Sequence, residues 1–185
     1  MFRKMMPVTA ALLAGAVMPQ VLAAKQANNE SAAVRGARYS LQDIQANIVQ
    51  AERETETIGQ PAMMERMSWQ VQQQYLTRMK DNLNQIGAKV KRLEAEQDSL
   101  ALWEREALAE IVPTLHDAAT NVDLAIRELN ENQISPWHSH VAKYAAKAGE
   151  DEQKAMKTLH AYFKMDNAAR AEKKSREELQ SVSGL

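Results

Sequence analysis

Apolar residues recur along most of this chain at steps of three and four, the spacing of helices that each bury one narrow stripe. It predicts three long helices in succession, Met63 to Gln97, Ser99 to Glu131 and Pro136 to about Leu179. Rods this long and this polar cannot stand alone in water, so each must press its stripe against a neighbour. A shorter helix precedes them. Ser40 stands where its N-cap belongs, Asp43 is its capping-box partner, and Leu41, Ile44, Ile48 and Ala51 form its stripe. Gly59-Gln60-Pro61 ends it, glycine suiting a left-handed cap and proline being unable to continue the ladder.

The second helix carries a heptad seam: Leu76, Met79, Leu83, Ile86, Val90, Leu93, Gln97 and Leu100. Its polar member, Gln97, falls where the chain should turn. Asp98 or Ser99 can cap the third helix, so a very tight hairpin is expected there, with one continuous rod into the Trp103 region as the competing reading. The third helix repeats the pattern with Leu108, Ile111, Leu115, Ala118, Val122, Ala125 and Leu129. Pro113 lies inside it and removes a backbone donor, which should bend the rod. Ser135-Pro136 starts the fourth helix, serine as cap and proline in the first turn. Its stripe is Trp137, Val141, Tyr144, Ala148, Ala155, Leu159 and Tyr162, and beyond Ala169 it turns into a charged, solvated, fraying end.

A helix of about 35 residues is roughly 50 Å long, and short connections between such rods make neighbours antiparallel. The expected fold is therefore all-α, an up-and-down antiparallel bundle of three long helices with a shorter N-terminal helix covering one groove. Residues 40–180 form this domain and 181–185 a flexible tail. Residues 24–39, polar and small, are expected as a disordered leader.

The first 23 residues read differently. Arg3 and Lys4 precede the apolar run Pro7 to Met18, and Val21 and Ala23 stand at the −3 and −1 positions for cleavage after Ala23. That is a cleaved export signal, too short for a membrane span of ~20 residues. A periplasmic or secreted location follows as the expectation, with no membrane span after cleavage. The mature chain of about 160 residues suits one domain. Its loss of two basic residues leaves a slightly acidic chain, which argues against a nucleic-acid partner. There is no cysteine, hence no disulfide, thiolate nucleophile or cysteine-bound metal. Much of the 45% hydrophobic content is alanine, so the core should be thin and elongated.

Candidate chemistry is sparse. The histidines are His116, His138, His140 and His160, and none makes a His-x-x-x-His, Glu-x-x-His or His-Glu-x-x-His pair. His138 and His140, two apart, do not share a helix face. Glu104 and Glu106 flank Arg105 beside Trp103 and read as exposed charges. A haem held between methionine and histidine would draw on Met63, Met64, Met67 or Met79 with His116 or His160, bound without Cys-x-x-Cys-His attachment. Methionine in a heptad seam is usually core filler. No Gly-x-Ser-x-Gly or glycine-rich phosphate loop occurs. Trp69, Trp103 and Trp137, one per long helix, read as large residues closing the ends of the core. No catalytic, cofactor-binding or metal residue is assigned.

The stretch Leu102-Trp103-Glu104-Arg105-Glu106-Ala107 through Ile111-Val112-Pro113, then Ala119-Thr120-Asn121 and Ala125 to Asn130, resembles a segment of uncharacterised small exported bacterial all-helical proteins. The resemblance implies a helical fold and no activity. The sequence thus predicts an exported, non-enzymatic helical-bundle protein that acts through protein interaction, self-association or a structural part in the cell envelope. The alternative is a periplasmic four-helix carrier of metal or haem.

Overall fold

The computed structural model describes residues 18–64, 66–132 and 140–183, with backbone alone for 18–35, Pro61 and Met64. Most of the stretch expected to be an export signal lies outside the described residues. So do the Ser135–Pro136 start of the last helix, Trp137 and His138.

The described chain is helical, without strands. Its elements are α1 (Met18–Ile58), the single turn α2 (Pro61–Met64), α3 (Trp69–Ala95), a 3₁₀ turn (Gln97–Ser99), α4 (Leu102–Glu131) and α5 (Val141–Ser183). Cross-helix bonds give the arrangement. Lys89 pairs with Asp43 and Arg78 with Glu54, so α3 runs antiparallel to α1. The hairpin brings α4 back along α3, with Lys80 bonded to Asp123 at 2.9 Å. Asn121 reaches Asp151 and Tyr162 reaches Glu110, which sets α5 antiparallel to α4. Arg38 donates to Asn167, and Thr55 meets Glu152, which closes the ring between α5 and α1. The fold is an up-and-down antiparallel four-helix bundle.

The predicted stripes are the core. Leu76, Met79, Leu83, Ile86, Val90 and Leu93 of α3 are buried, as are all seven positions read for α4 and the four read for α1. The core continues through Ala37 and Ile58 of α1 and Ala145 and Phe163 of α5. Tyr144 and Tyr162, expected inside, are only partly buried. Trp103 meets Phe163 edge-on, 5.7 Å between ring centroids, and helps close the core near the α3–α4 turn.

Several boundaries differ from expectation, each for a local reason. α1 starts at Met18 and is 41 residues long, a full member of the bundle rather than a short cover. Residues 24–39, expected as a disordered leader, are helical; their many alanines and lack of proline favour this. Ser40 is consequently no cap: inside the helix, its hydroxyl donates to the Gly36 carbonyl. Gly59 does not take a left-handed cap, since no described glycine has positive φ. Its lack of a side chain instead admits the backbone of Ala146, 3.3 Å from where a Cβ would lie.

The second predicted helix is interrupted before Trp69. Ser68 is extended there and its hydroxyl accepts from Val71 N, a proper N-cap. The hairpin reading holds at the other end, where Leu100 and Ala101 are extended and break the rod. The cap of α4 is neither Asp98 nor Ser99 but Ala101, whose N–H donates to Glu104 Oε2 at 2.9 Å. An alanine cannot cap with its side chain, so only the glutamate half of a capping box is present. Pro113 sits within α4 without ending it.

Beyond Phe163, α5 runs on as a solvated helix. From Asn167 to Ser183 every side chain is exposed, and i,i+4 pairs such as Lys173–Glu177 and Lys174–Glu178 lie along it. Helix persists to Ser183, into the predicted flexible tail, and residues 184–185 lie outside the described part.

Candidate functional site

Four helices around a ring make four seams, and the one between α3 and α4 carries an apolar groove. Between α3 and α4, Leu83 retains 6%, Val90 7% and Leu115 7% of their surface, with Leu100 and Leu108 similarly near-buried. All five line a groove between these two helices. Its larger part encloses about 450 Å³ beside Gly87 and Ala88, and a smaller part of about 300 Å³ continues past Glu94 and Val112 to Leu100.

Local sequence explains the gap. Gly87 and Ala88 on α3 line its larger part with Ala119 of α4, Ala109 lines the smaller part, and none carries a chain long enough to roof the floor. A Cβ built on Gly87 would meet nothing within 4 Å. Pro113, on the groove wall, has no N–H, so the carbonyl of Ala109 lacks the helix donor any other residue at 113 would give it. An apolar trough with a spare backbone acceptor in its wall results.

The groove has ends and rims. The Lys80–Asp123 ion pair crosses from α3 to α4 at one end, and the Gln97–Ser99 turn closes the other. At 1.5 Å per residue, Leu83 to Gln97 is about 20 Å. Lys91, Glu94, Arg105 and His116 stand along the edges, so the rim carries both signs of charge over an apolar floor.

The described histidines do not converge. His116 is exposed on the groove rim, His160 is exposed on the α1–α5 side near Arg38, and His140 lies at the α4–α5 end, its Nδ1 3.6 Å from Glu128. Among the described residues no three His, Asp or Glu side chains are placed to hold one ion. Met79 is buried in the core seam, whereas Met63 is exposed at the opposite end from His160. Glu104 of the Glu104–Arg105–Glu106 run is buried as the α4 cap, Glu106 is exposed and Arg105 stands on the groove rim. Burial pushes the Glu104 carboxyl above its ordinary value.

Sequence reasoning read the stripes but not the groove. The available signal was small residues at Gly87, Ala88, Ala109 and Ala119 on the flanks of the two seams. Among the described residues, no helix is long and apolar enough to cross a membrane. No family model, curated protein or solved structure matches this chain.

Proposed function

We propose that this is an exported, non-enzymatic helical module that binds a partner protein by taking an amphipathic helix into the α3–α4 groove. The observation that carries the reading is the apolar groove between α3 and α4, lined by Leu83, Val90, Leu100, Leu108 and Leu115. An apolar trough about 20 Å long matches the apolar face of a helix of roughly four turns. Its floor supplies burial, while Lys91, Glu94, Arg105 and His116 can pair with the polar flanks of the incoming helix. A fifth helix seated there would complete the cover that α3 and α4 lack.

Export and a place in the cell envelope rest on the Arg3–Ala23 signal pattern. The metal or haem carrier is the alternative. It is distinguished by the purified protein itself, through its visible absorbance and elemental content.

The experiment is a photo-crosslinking amino acid at Ala109 in the groove and, as control, at Lys157 on the exposed face of α5, in protein purified from its native envelope. A defined adduct at Ala109 and none at Lys157 is expected, and Ala119→Glu should abolish it while leaving helicity and melting intact. Equal crosslinking at both positions, or capture that survives Ala119→Glu, overturns the reading.

A further inference from the structure

The α1–α5 seam holds a carboxyl group that the groove does not use. Glu152 of α5 is fully buried against Thr55 of α1. Oγ1 of Thr55 lies 3.0 Å from the Ala51 carbonyl and 2.9 Å from Glu152 Oε2. A hydroxyl has one proton to give, and a carbonyl has none. Both contacts are hydrogen bonds only if the second proton belongs to Glu152, which then donates to Thr55 while Thr55 donates to Ala51. The geometry calls for a neutral carboxylic acid.

The surroundings agree. Glu152 Oε1 has no hydrogen-bond partner among the described residues, tolerable for a neutral acid and costly for a carboxylate. On α1, Glu52 repels added negative charge, and Glu54 faces away to Arg78 of α3. On α5, Asp151 adds repulsion, while Lys147 is engaged by Asp151 and Glu150. On the α4 side, the neutral amide of Asn121 donates to Asp151. Burial, with Glu52 and Asp151 reinforcing it, pushes the Glu152 carboxyl up to about 8. A surface cleft of about 260 Å³ lined by Glu52, Glu56 and Glu150 runs beside the pair, a route by which water reaches it once the helices part.

We propose that this stretch of the α1–α5 seam is a proton-operated latch, closed while Glu152 donates to Thr55 and loosened when that proton is lost. In the closed state the chain Glu152 to Thr55 to Ala51 satisfies every proton it contains. Once ionised, Glu152 offers no donor, Thr55 must abandon Ala51 to serve it, and a bare charge remains in an apolar seam. Opening the seam to water is the way out. The groove between α3 and α4, on the far side of the bundle, has no part in this.

Amide hydrogen exchange on the full chain tests it, with rates corrected for intrinsic base catalysis. Protection of 51–58 and 148–155 should fall by up to about tenfold per pH unit from pH 5 and level off above about 8, while that of α3 holds. Glu152→Gln, which keeps a donor to Thr55, should make protection in those segments independent of pH. Wild type and Glu152→Gln losing protection alike would overturn the latch. Should Glu152→Gln not fold, the carboxyl ¹³C resonance of Glu152 in the wild-type protein decides: titration above pH 7 supports the proposal, and titration below pH 5.5 sinks it.

Discussion

A methyl group on Gly149 would stand 2.4 Å from Cγ2 of Thr55 and 3.3 Å from its Cβ. The two helices meet there with nothing between them. Thr55 has little room to swing aside, because it is β-branched and its hydroxyl is held between Ala51 and Glu152. Alanine favours a helix over glycine by up to about 1 kcal/mol, yet overpacking a tight contact costs about 1–3 kcal/mol. Gly149→Ala is therefore expected to destabilise the bundle, seen as a lower urea midpoint at unchanged slope.

Gly87 gives the opposite sign. Its added Cβ would enter open groove space, so only the helix preference remains. Gly87→Ala should stabilise the fold by about 0.5–1 kcal/mol. Thermal melting of the two variants side by side checks both signs, and a melting temperature for Gly87→Ala below that of the wild type would refute the open groove at this position.

Stability should fall as pH rises, in a defined window. Glu152 has an ordinary value near 4.5 when unfolded and is raised to about 8 in the fold. Below the first value both states hold the proton, and the full stabilisation is present. Between the two, the folded protein keeps a proton the unfolded chain has lost, so the free energy of unfolding drops by up to about 1.4 kcal/mol per pH unit at 25 °C. Above about 8 the loss is complete and this contribution levels off. Urea midpoints of wild type and Glu152→Gln between pH 5 and 9 should diverge steadily, and parallel curves would exclude a raised carboxyl at this position.

The exposed end of α5 contributes helix but little stability. From Ala171 to Ser183 no side chain is buried, and exposed i,i+4 ion pairs are each worth about 0.3–0.5 kcal/mol to the local helix. Truncation before Ala171 should shift the melting temperature by no more than a few degrees while removing helical signal in proportion to length. In the intact protein, high salt should lower helicity there first, which site-resolved amide exchange can read.

Most of the architecture was legible because these helices bury strict stripes. Every position read for α4 is in the core, since an apolar residue every three or four positions has only one way to leave water. Alanine misled the reading at the front of α1. The stretch before Ser40 has few large apolar groups, so it resembles a loop to a periodicity argument, while its backbone favours helix. Glu152 was passed over for the reverse reason. Ala148, Glu152, Ala155 and Leu159 step by four, three and four, which places the glutamate in the buried seam. A charged residue type hid a core position, and its chemistry emerges only with Thr55 opposite. The groove was the least legible feature, because an open seam depends on how far apart two helices lie as well as on the residues lining it.

The buried face of α5 includes many small, interchangeable steps: Ala145, Ala148, Gly149, Ala155. Such a surface could slide along its partner by a heptad with little change in burial. Glu152 removes that freedom, since only one alignment sets its carboxyl against a threonine hydroxyl and brings Gly149 beneath the same side chain. A polar pair inside the seam thus helps fix its register, together with the Arg38–Asn167 bond further along.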